Sequence, residues 1–188
     1  SNRILLKSLV QRAGCEPVVY PIVEDSLEAT CQALSKAVEE CDALVTSGGV
    51  SVGDYDFIKP AFESLGGEID FWRIRIKPGK PLVFGEIKSV PVFGLPGNPG
   101  SATVTFTLFV HSALVKMGGV SEYQHSYVQG KLTESMNNPG NRRLFLRVRL
   151  NADREVTMSG SNQASHALGS LATSDGLLSV PEGTVLEQ

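Results

Sequence analysis

The stretch CDALVTSGGVSVGDYDF, Cys41 to Phe57, decides the fold. Its first part, Cys41 to Thr46, is an apolar run of strand length. Three glycines, two aspartates and several hydroxyls follow directly, and an apolar helical pattern resumes at Ile58. A strand that runs into glycines and then into a helix is how α/β proteins bind anions. The glycines let a ligand approach the backbone, and the first N–H groups of a helix carry partial positive charge.

Outward from this stretch, strands alternate with helices. Ile4, Leu5, Leu9 and Val10 recur at helical spacing from Asn2 until Gly14 stops the pattern. Pro17 to Val23 reads as a strand, and Glu24-Asp25-Ser26 as a turn and helix cap. Leu27, Cys31, Leu34 and Val38 mark the next helix. After the glycines come a helix from Ile58 to Leu65 and an alternating strand from Ile69 to Ile76. A hairpin of Leu82–Phe84 with Pro91–Gly94 follows, and then a long helix from about Gly100 to Met117. This rhythm predicts an α/β fold, a mostly parallel sheet sandwiched by helices.

Past Gly119 the rhythm changes to short strands between turn residues. Tyr127–Leu132, Leu144–Leu150, Glu155–Met158 and Leu177–Val180 are the strands, with Asn137-Asn138-Pro139-Gly140 as one of the turns. Only Ser165 to Leu171 has room for a helical turn. The expected organisation is an α/β domain over 1–119 and a small barrel-like β domain over 120–188. The first opens on a helix where a doubly wound unit opens on a strand, so it reads as truncated at its front.

Composition narrows the function. The chain of 188 residues has a net charge of −3, with 41% hydrophobic and 20% charged residues. No basic stripe suggests nucleic acid, and no apolar run approaches the ~20 residues of a membrane span. Cys15, Cys31 and Cys41 have no CxxC spacing and sit among apolar residues, as small buried hydrophobes in a reducing cytoplasm.

Three loops carry chemistry. In Ser47-Gly48-Gly49-Val50-Ser51-Val52-Gly53, backbone N–H groups and two hydroxyls can hold phosphate-like oxygens, although glycine-rich turns are common. Asp54 and Asp56 follow. One carboxylate suffices to cap a helix, and a second beside a phosphate loop suggests Mg²⁺. Lys77-Pro78-Gly79-Lys80-Pro81 sets two cations on a stiffened turn, which suits an oxyanion receptor better than a solvated turn. Leu95-Pro96-Gly97-Asn98-Pro99-Gly100 holds an unusual path at the start of the long helix. Each loop follows a strand end, and Asp25 is placed on the same edge by the strand before it. Together they describe an anionic, phosphorylated ligand held with a divalent cation.

SGGVSVGDYD, KPGKP and GLPGNP, in this order, resemble the molybdopterin molybdenumtransferase (MoeA) family, which includes the gephyrin E domain. The opening Ser-Asn, Val23-Glu24-Asp25, Asn141 to Arg147 and Ser161 to His166 match its pattern too. The resemblance implies molybdenum cofactor biosynthesis: Mg²⁺-dependent insertion of molybdate into adenylylated molybdopterin, with release of AMP. It implies Asp25 and Asp56 as the acidic, Mg²⁺-associated pair. Lys77 and Lys80 would bind molybdate or stabilise pyrophosphate charge. Ser47, Gly48, Gly49, Ser51 and Gly53 would line the nucleotide and pterin cradle. Pro78, Gly79, Pro96, Gly97, Asn98 and Pro99 would shape the oxyanion pocket, with Arg142 and Arg147 at family positions near the cleft and Ser165-His166 matching the family's Gly-Ser-His loop.

Members of that family are elongated homodimers of four-domain chains, and the resemblance covers only their latter half. The family's upstream Gly-Asp-Glu-Leu loop has no counterpart here, so the chain by itself is expected to be inactive. Ala164 stands where the family has glycine before Ser-His. Arg147 and Arg149 alternate with apolar neighbours, which also fits a solvated strand face. Two rivals remain: a MogA-type molybdopterin adenylyltransferase, which KPGKP and the β domain argue against, and a non-catalytic, gephyrin-like scaffold. No nucleic-acid or membrane partner is expected.

Overall fold

The computed structural model describes residues 2–50, 56–160 and 163–188. Helix α1 (Asn2–Arg12) opens the chain, followed by α2 (Leu27–Glu40) and β1 (Leu44–Ser47). Ser26 caps α2, its hydroxyl accepting from the Ala29 N–H at 3.2 Å. Then come α3 (Ile58–Ser64), β2 (Glu68–Trp72), β3 (Ile76–Lys77), β4 (Val83–Ile87) and β5 (Val90–Leu95). The long helix is α4 (Pro99–Thr105), a π-helical turn (Phe106–Val110) and α5 (His111–Met117). Pro99 opens α4, where its missing N–H costs no hydrogen bond.

The first sheet runs β1-β5-β4-β2. β1 and β5 pair in parallel, and the other two pairings are antiparallel. The two-residue turn Lys88-Ser89 joins β4 to β5 with φ of 52° and 66°, the left-handed pair that matches hairpin twist. Alternation along β5 builds both faces. Val92 joins Leu34, Val38, Ile58 and Phe62 from α2 and α3. Phe93 and Leu95 join Leu6, Ala102, Phe106 and Val110 from α1 and the long helix.

Three expected strands differ. Pro17 to Val23 forms no strand: prolines at 17 and 21 cannot donate to a ladder, and Val18 and Ile22 are 58% and 91% exposed. Tyr20 ties the segment down, its hydroxyl donating to Glu40 at 2.5 Å. The strand expected over Ile69–Ile76 is two strands, because Arg73 turns the chain with φ 86°. β2 stays in the first sheet, whereas β3 leaves it to join the C-terminal strands. The strand expected to begin at Tyr127 starts only at Lys131, and Tyr127 is 88% exposed.

The C-terminal strands are β6 (Lys131–Leu132), β7 (Met136–Asn138), β8 (Arg143–Leu150), β9 (Glu155–Met158), β10 (Gly176–Val180) and β11 (Thr184–Leu186), with α6 (Leu168–Ala172) between β9 and β10. β10-β8-β9-β6 form one sheet, with β3 added against β8, and β11 pairs with β7. The segment expected as a turn at Asn137-Asn138 therefore begins as strand. Asn138 is buried, and its amide donates to the carbonyls of Arg142, Val180 and Pro181 at 2.9, 3.1 and 3.0 Å. Met136, Leu146, Val148, Val156 and Val180 make the small core. The cysteines are all free and partly buried. No described helix is long and apolar enough to cross a membrane.

Candidate functional site

Parallel pairing of β1 with β5 sets Ser47 beside Leu95, so the loops after these strands leave the sheet together. The Gly48 N–H donates to the Leu95 carbonyl at 2.9 Å, and a Cβ on Gly97 would lie 3.7 Å from the Gly48 Cα. Gly48 has φ 89° and Gly49 φ 67°, so the turn uses a backbone that other residues rarely adopt. Asn2 reaches in from α1. Its amide donates to the Ser47 hydroxyl and to the Gly97 carbonyl, both at 2.7 Å. Ser51 and Gly53, expected in the same cradle, lie outside the described residues, as does Asp54.

Buried polar atoms without a partner gather around this cradle. They are Asn2 Oδ1, Thr46 Oγ1 and both carboxylate oxygens of Asp56. Asp56 precedes α3, whose Ile58 side chain lies against Gly49. Burial pushes the Asp56 carboxyl up to about 6; the nearby Ile58 N–H offsets part of this without making a hydrogen bond. An ionised carboxylate here lacks the partners that water would supply. Asp25, by contrast, is exposed in a bend before α2 and makes no hydrogen bond or ion pair among the described residues. The strand expected to carry it to the site edge is absent, and no described contact links it to Asp56. Among the described residues no group of three or more His, Cys, Asp or Glu side chains is arranged to hold a metal ion.

The second loop packs on α4 at Thr105. Lys77 ends β3 and pairs with Leu144 of β8, so its backbone is fixed by the second sheet. Gly79 adopts φ 106° and seats the turn on α4, where a Cβ would fall 2.6 Å from Thr105 Cγ2. A cavity of about 600 Å³ opens here, lined by Lys77, Lys80, Ser101 and Arg142 and by Gln163, Ala164 and Ser165. Its described lining holds three cations and no carboxylate. Pro78, Gly79 and Pro81 line it too, whereas Pro96 to Pro99 do not. The Arg142 guanidinium lies 3.4 Å from the Ile76 carbonyl, which holds it at the β3 edge.

The Pro96–Pro99 loop connects the cradle to the cavity wall. The Asn98 amide donates to the Ser165 hydroxyl at 3.0 Å, and the Gly100 N–H to the Ser165 carbonyl at 2.7 Å. His166, the next residue, is exposed. Behind the wall Arg147 is 1% exposed, not on a solvated face as strand alternation suggested. Loop 163–167 covers that face of β8. Sequence reasoning also gave no separate role to Gly100, Gln163 or Ser101, and met Asn2 only within the matching Ser-Asn opening. A buried arginine between Leu146 and Val148 leaves no mark in the sequence that separates it from an exposed one.

Residues 1–116 match the family described as "Probable molybdopterin binding domain", and residues 129–188 match the "MoeA C-terminal region (domain IV)". A molybdopterin molybdenumtransferase of Nostoc sp. is 33% identical over 97% of this chain and 44% of its own length. Molybdopterin molybdenumtransferase 2 of Mycobacterium tuberculosis is 34% identical over 98% of this chain and 47% of its own. The molybdopterin biosynthesis MoeA protein from Pyrococcus horikosii superposes with a TM-score of 0.81 at 31% identity. It covers all of this chain, which spans 45% of that protein. The chain thus spans less than half the length of these relatives.

Proposed function

Because the chain belongs to the family of probable molybdopterin binding domains and continues into a MoeA C-terminal region, we propose that it forms the oxyanion-binding half of a molybdopterin molybdenumtransferase. The intact protein would insert molybdate into adenylylated molybdopterin and release AMP, a step of molybdenum cofactor biosynthesis. The observation that carries this reading is the cavity lined by Lys77, Lys80 and Arg142 with no described carboxylate. A tetrahedral dianion meets three cations there, with the Ser101 and Ser165 hydroxyls as further donors. Preorganised donors of this kind stabilise charge without reorganising as the reaction proceeds.

Ser47, Gly48 and Gly49, with Pro96, Gly97, Asn98 and Pro99, form the adjoining cradle for the nucleotide and pterin. Asn2 Oδ1 and Thr46 Oγ1 lack partners there and suit a polar ligand. Ser51 and Gly53 extend this cradle in the proposal.

The Asp56 carboxylate fits Mg²⁺, since two buried anionic oxygens without partners suit a hard cation. Asp25 is the second proposed ligand; its carboxylate is solvent-facing and open to coordination. Mg²⁺ bound there would neutralise phosphate charge as AMP departs. Lys77 and Lys80 hold molybdate or the developing phosphate charge, and Arg142 closes the cavity from the second domain. His166 contributes from the rim.

The division at 119/120, with β3 lent to the second sheet, a homodimeric intact protein and a cytoplasmic location belong to the same reading. The experiment is Mg²⁺- and molybdate-dependent AMP release from adenylylated molybdopterin by the intact protein. Release that collapses in both Asp56→Asn and Lys80→Ala supports the assignment. Release indifferent to both substitutions refutes it.

A further inference from the structure

The side of the cavity formed by Gln163, Ala164 and Ser165 is a loop, and loops do not hold hydroxyls to within a fraction of an ångström unaided. Arg147 on β8 lies directly behind it. Its N–H and Nε both donate to Gln163 Oε1, at 2.9 and 3.2 Å. Nη2 donates to the Ala164 carbonyl at 3.1 Å, and Nη1 reaches the Ala167 carbonyl at 3.5 Å. Gln163 returns the bond, its amide donating to the Arg147 carbonyl at 3.1 Å and to the Ser159 carbonyl at 3.2 Å. One guanidinium fork therefore grips the loop on both sides of Ser165.

The first turn of α4 grips Ser165 from the opposite direction. The Gly100 N–H donates to its carbonyl and the Asn98 amide to its hydroxyl. The two grips meet, because a Cβ on Gly100 would lie 2.7 Å from the Ser165 carbonyl oxygen and 2.8 Å from Arg147 Nη1. Gly100 leaves room for the guanidinium and the loop to approach the helix together. With Asn98 donating to its oxygen, the Ser165 hydroxyl keeps its own proton to donate elsewhere, and the residue lines the cavity.

Burying a guanidinium is costly, and an apolar side chain of similar volume holds a core as well or better. The fork is suited to something else: fixing several carbonyls in one plane. We propose that Arg147 is a positioning residue which, from behind the cavity wall and without touching the ligand, clamps loop 163–167 onto the first turn of α4 and so sets the affinity of the cavity for oxyanions. The affinity part rests on reading the cavity as an oxyanion site; the clamp itself does not.

The test uses this 188-residue chain, with molybdate as the probe, calorimetry for affinity and amide hydrogen exchange for the loop, plus thermal unfolding without anion. Arg147→Lys retains the charge but loses the fork, and Gly100→Ala forces the clamp apart while leaving Arg147 in place. Expected in both is faster exchange confined to 163–167 and the Gly100 amide. Molybdate affinity falls about tenfold or more in each, in Arg147→Lys despite the retained charge. A folded Arg147→Lys chain with unchanged loop exchange and affinity within about twofold of the parent overturns the proposal. Should Arg147→Lys fail to fold, Gly100→Ala decides by the same two readings. If the parent chain binds no molybdate, the oxyanion reading fails; loop exchange then decides the clamp, which stands if exchange quickens and falls if it does not.

Discussion

The side-chain amide of Asn98 donates a 3.0 Å hydrogen bond to the hydroxyl of Ser165, joining the loop that opens α4 to the loop that precedes α6. These residues lie 67 positions apart, on the two sides of the junction between the sheets. A single neutral bond of this kind contributes about 1 kcal/mol. Asn98→Ala and Ser165→Ala, alone and together, form a cycle that isolates it. Urea denaturation should give a coupling of about 0.5–1.5 kcal/mol between them. A coupling near zero would mean that the Gly100–Ser165 backbone bond, not this side-chain pair, ties these two loops together.

Asp56 makes the stability of the metal-free chain depend on pH in an unusual direction. Its carboxyl is raised from 3.8 to about 6 by burial, so between these values the folded chain holds a proton that the unfolded chain has lost. Stability from this group is full below the unfolded value and is lost as pH rises through about 6. Asp56→Asn should therefore be more stable than the parent at pH 7 in the presence of a chelator, with the difference vanishing towards pH 4. Thermal melts of both chains across this window decide it. A parent chain that outlasts the variant at pH 7 would show that the carboxylate has a partner in solution.

Phe62 anchors the core on the α2 and α3 side. It is fully buried on α3 against Val83, Ile87 and Leu34, and a Cβ on Gly67 or Gly85 would come within 3.0 Å of its ring. With its neighbours so fixed, the site cannot collapse, and Phe62→Ala should cost about 3–5 kcal/mol in chemical denaturation. A loss below about 2 kcal/mol would indicate that α3 moves to fill the space.

Some of this was legible in the sequence. β1 with its glycines, and β5 running into α4, announce themselves by an apolar run followed by residues that only turns and helix starts favour. β8, β9 and β10 follow from alternation. Pro17 to Val23 misleads because its composition is that of a strand while its prolines remove ladder donors. The break at Arg73 is invisible because a left-handed turn there uses neither glycine nor asparagine. Arg147 misleads for another reason: alternation tells which residues share a face, not whether a distant loop covers it. Of the candidate site, the lysine and glycine loops were readable locally. Their meeting with Arg142 and Ser165 depends on β3 leaving one sheet for the other, which no local pattern encodes.

The three cations of the cavity predict a salt-sensitive anion site. Lys80 and Arg142 both line it, and no described lining residue carries a negative charge. Molybdate affinity of the chain should fall as ionic strength rises, and Lys80→Ala and Arg142→Ala should each weaken it by about tenfold while reducing the salt dependence. Calorimetric titration at two salt concentrations measures both. Equal salt dependence in parent and variants would place the anion elsewhere.

Gly79 ties the lysine loop to the helix beneath it. With φ 106° and a would-be Cβ 2.6 Å from Thr105 Cγ2 and 3.1 Å from Ile76 Cδ1, alanine at this position meets both backbone strain and a packed wall. Thr105 cannot simply rotate away, because its hydroxyl donates within α4 to the Ser101 and Ala102 carbonyls at 2.9 and 3.1 Å. Gly79→Ala should therefore destabilise the chain by about 1–3 kcal/mol and weaken molybdate binding, since the loop must lift and take Lys77 and Lys80 with it. Thr105→Ser removes the methyl group in the way but keeps the hydroxyl. The double variant should regain the packing part of the loss and retain the part due to φ, which denaturant midpoints of the four chains would separate. If Thr105→Ser restores nothing, the cost of Gly79→Ala lies in the backbone and the Ile76 contact, not at Thr105.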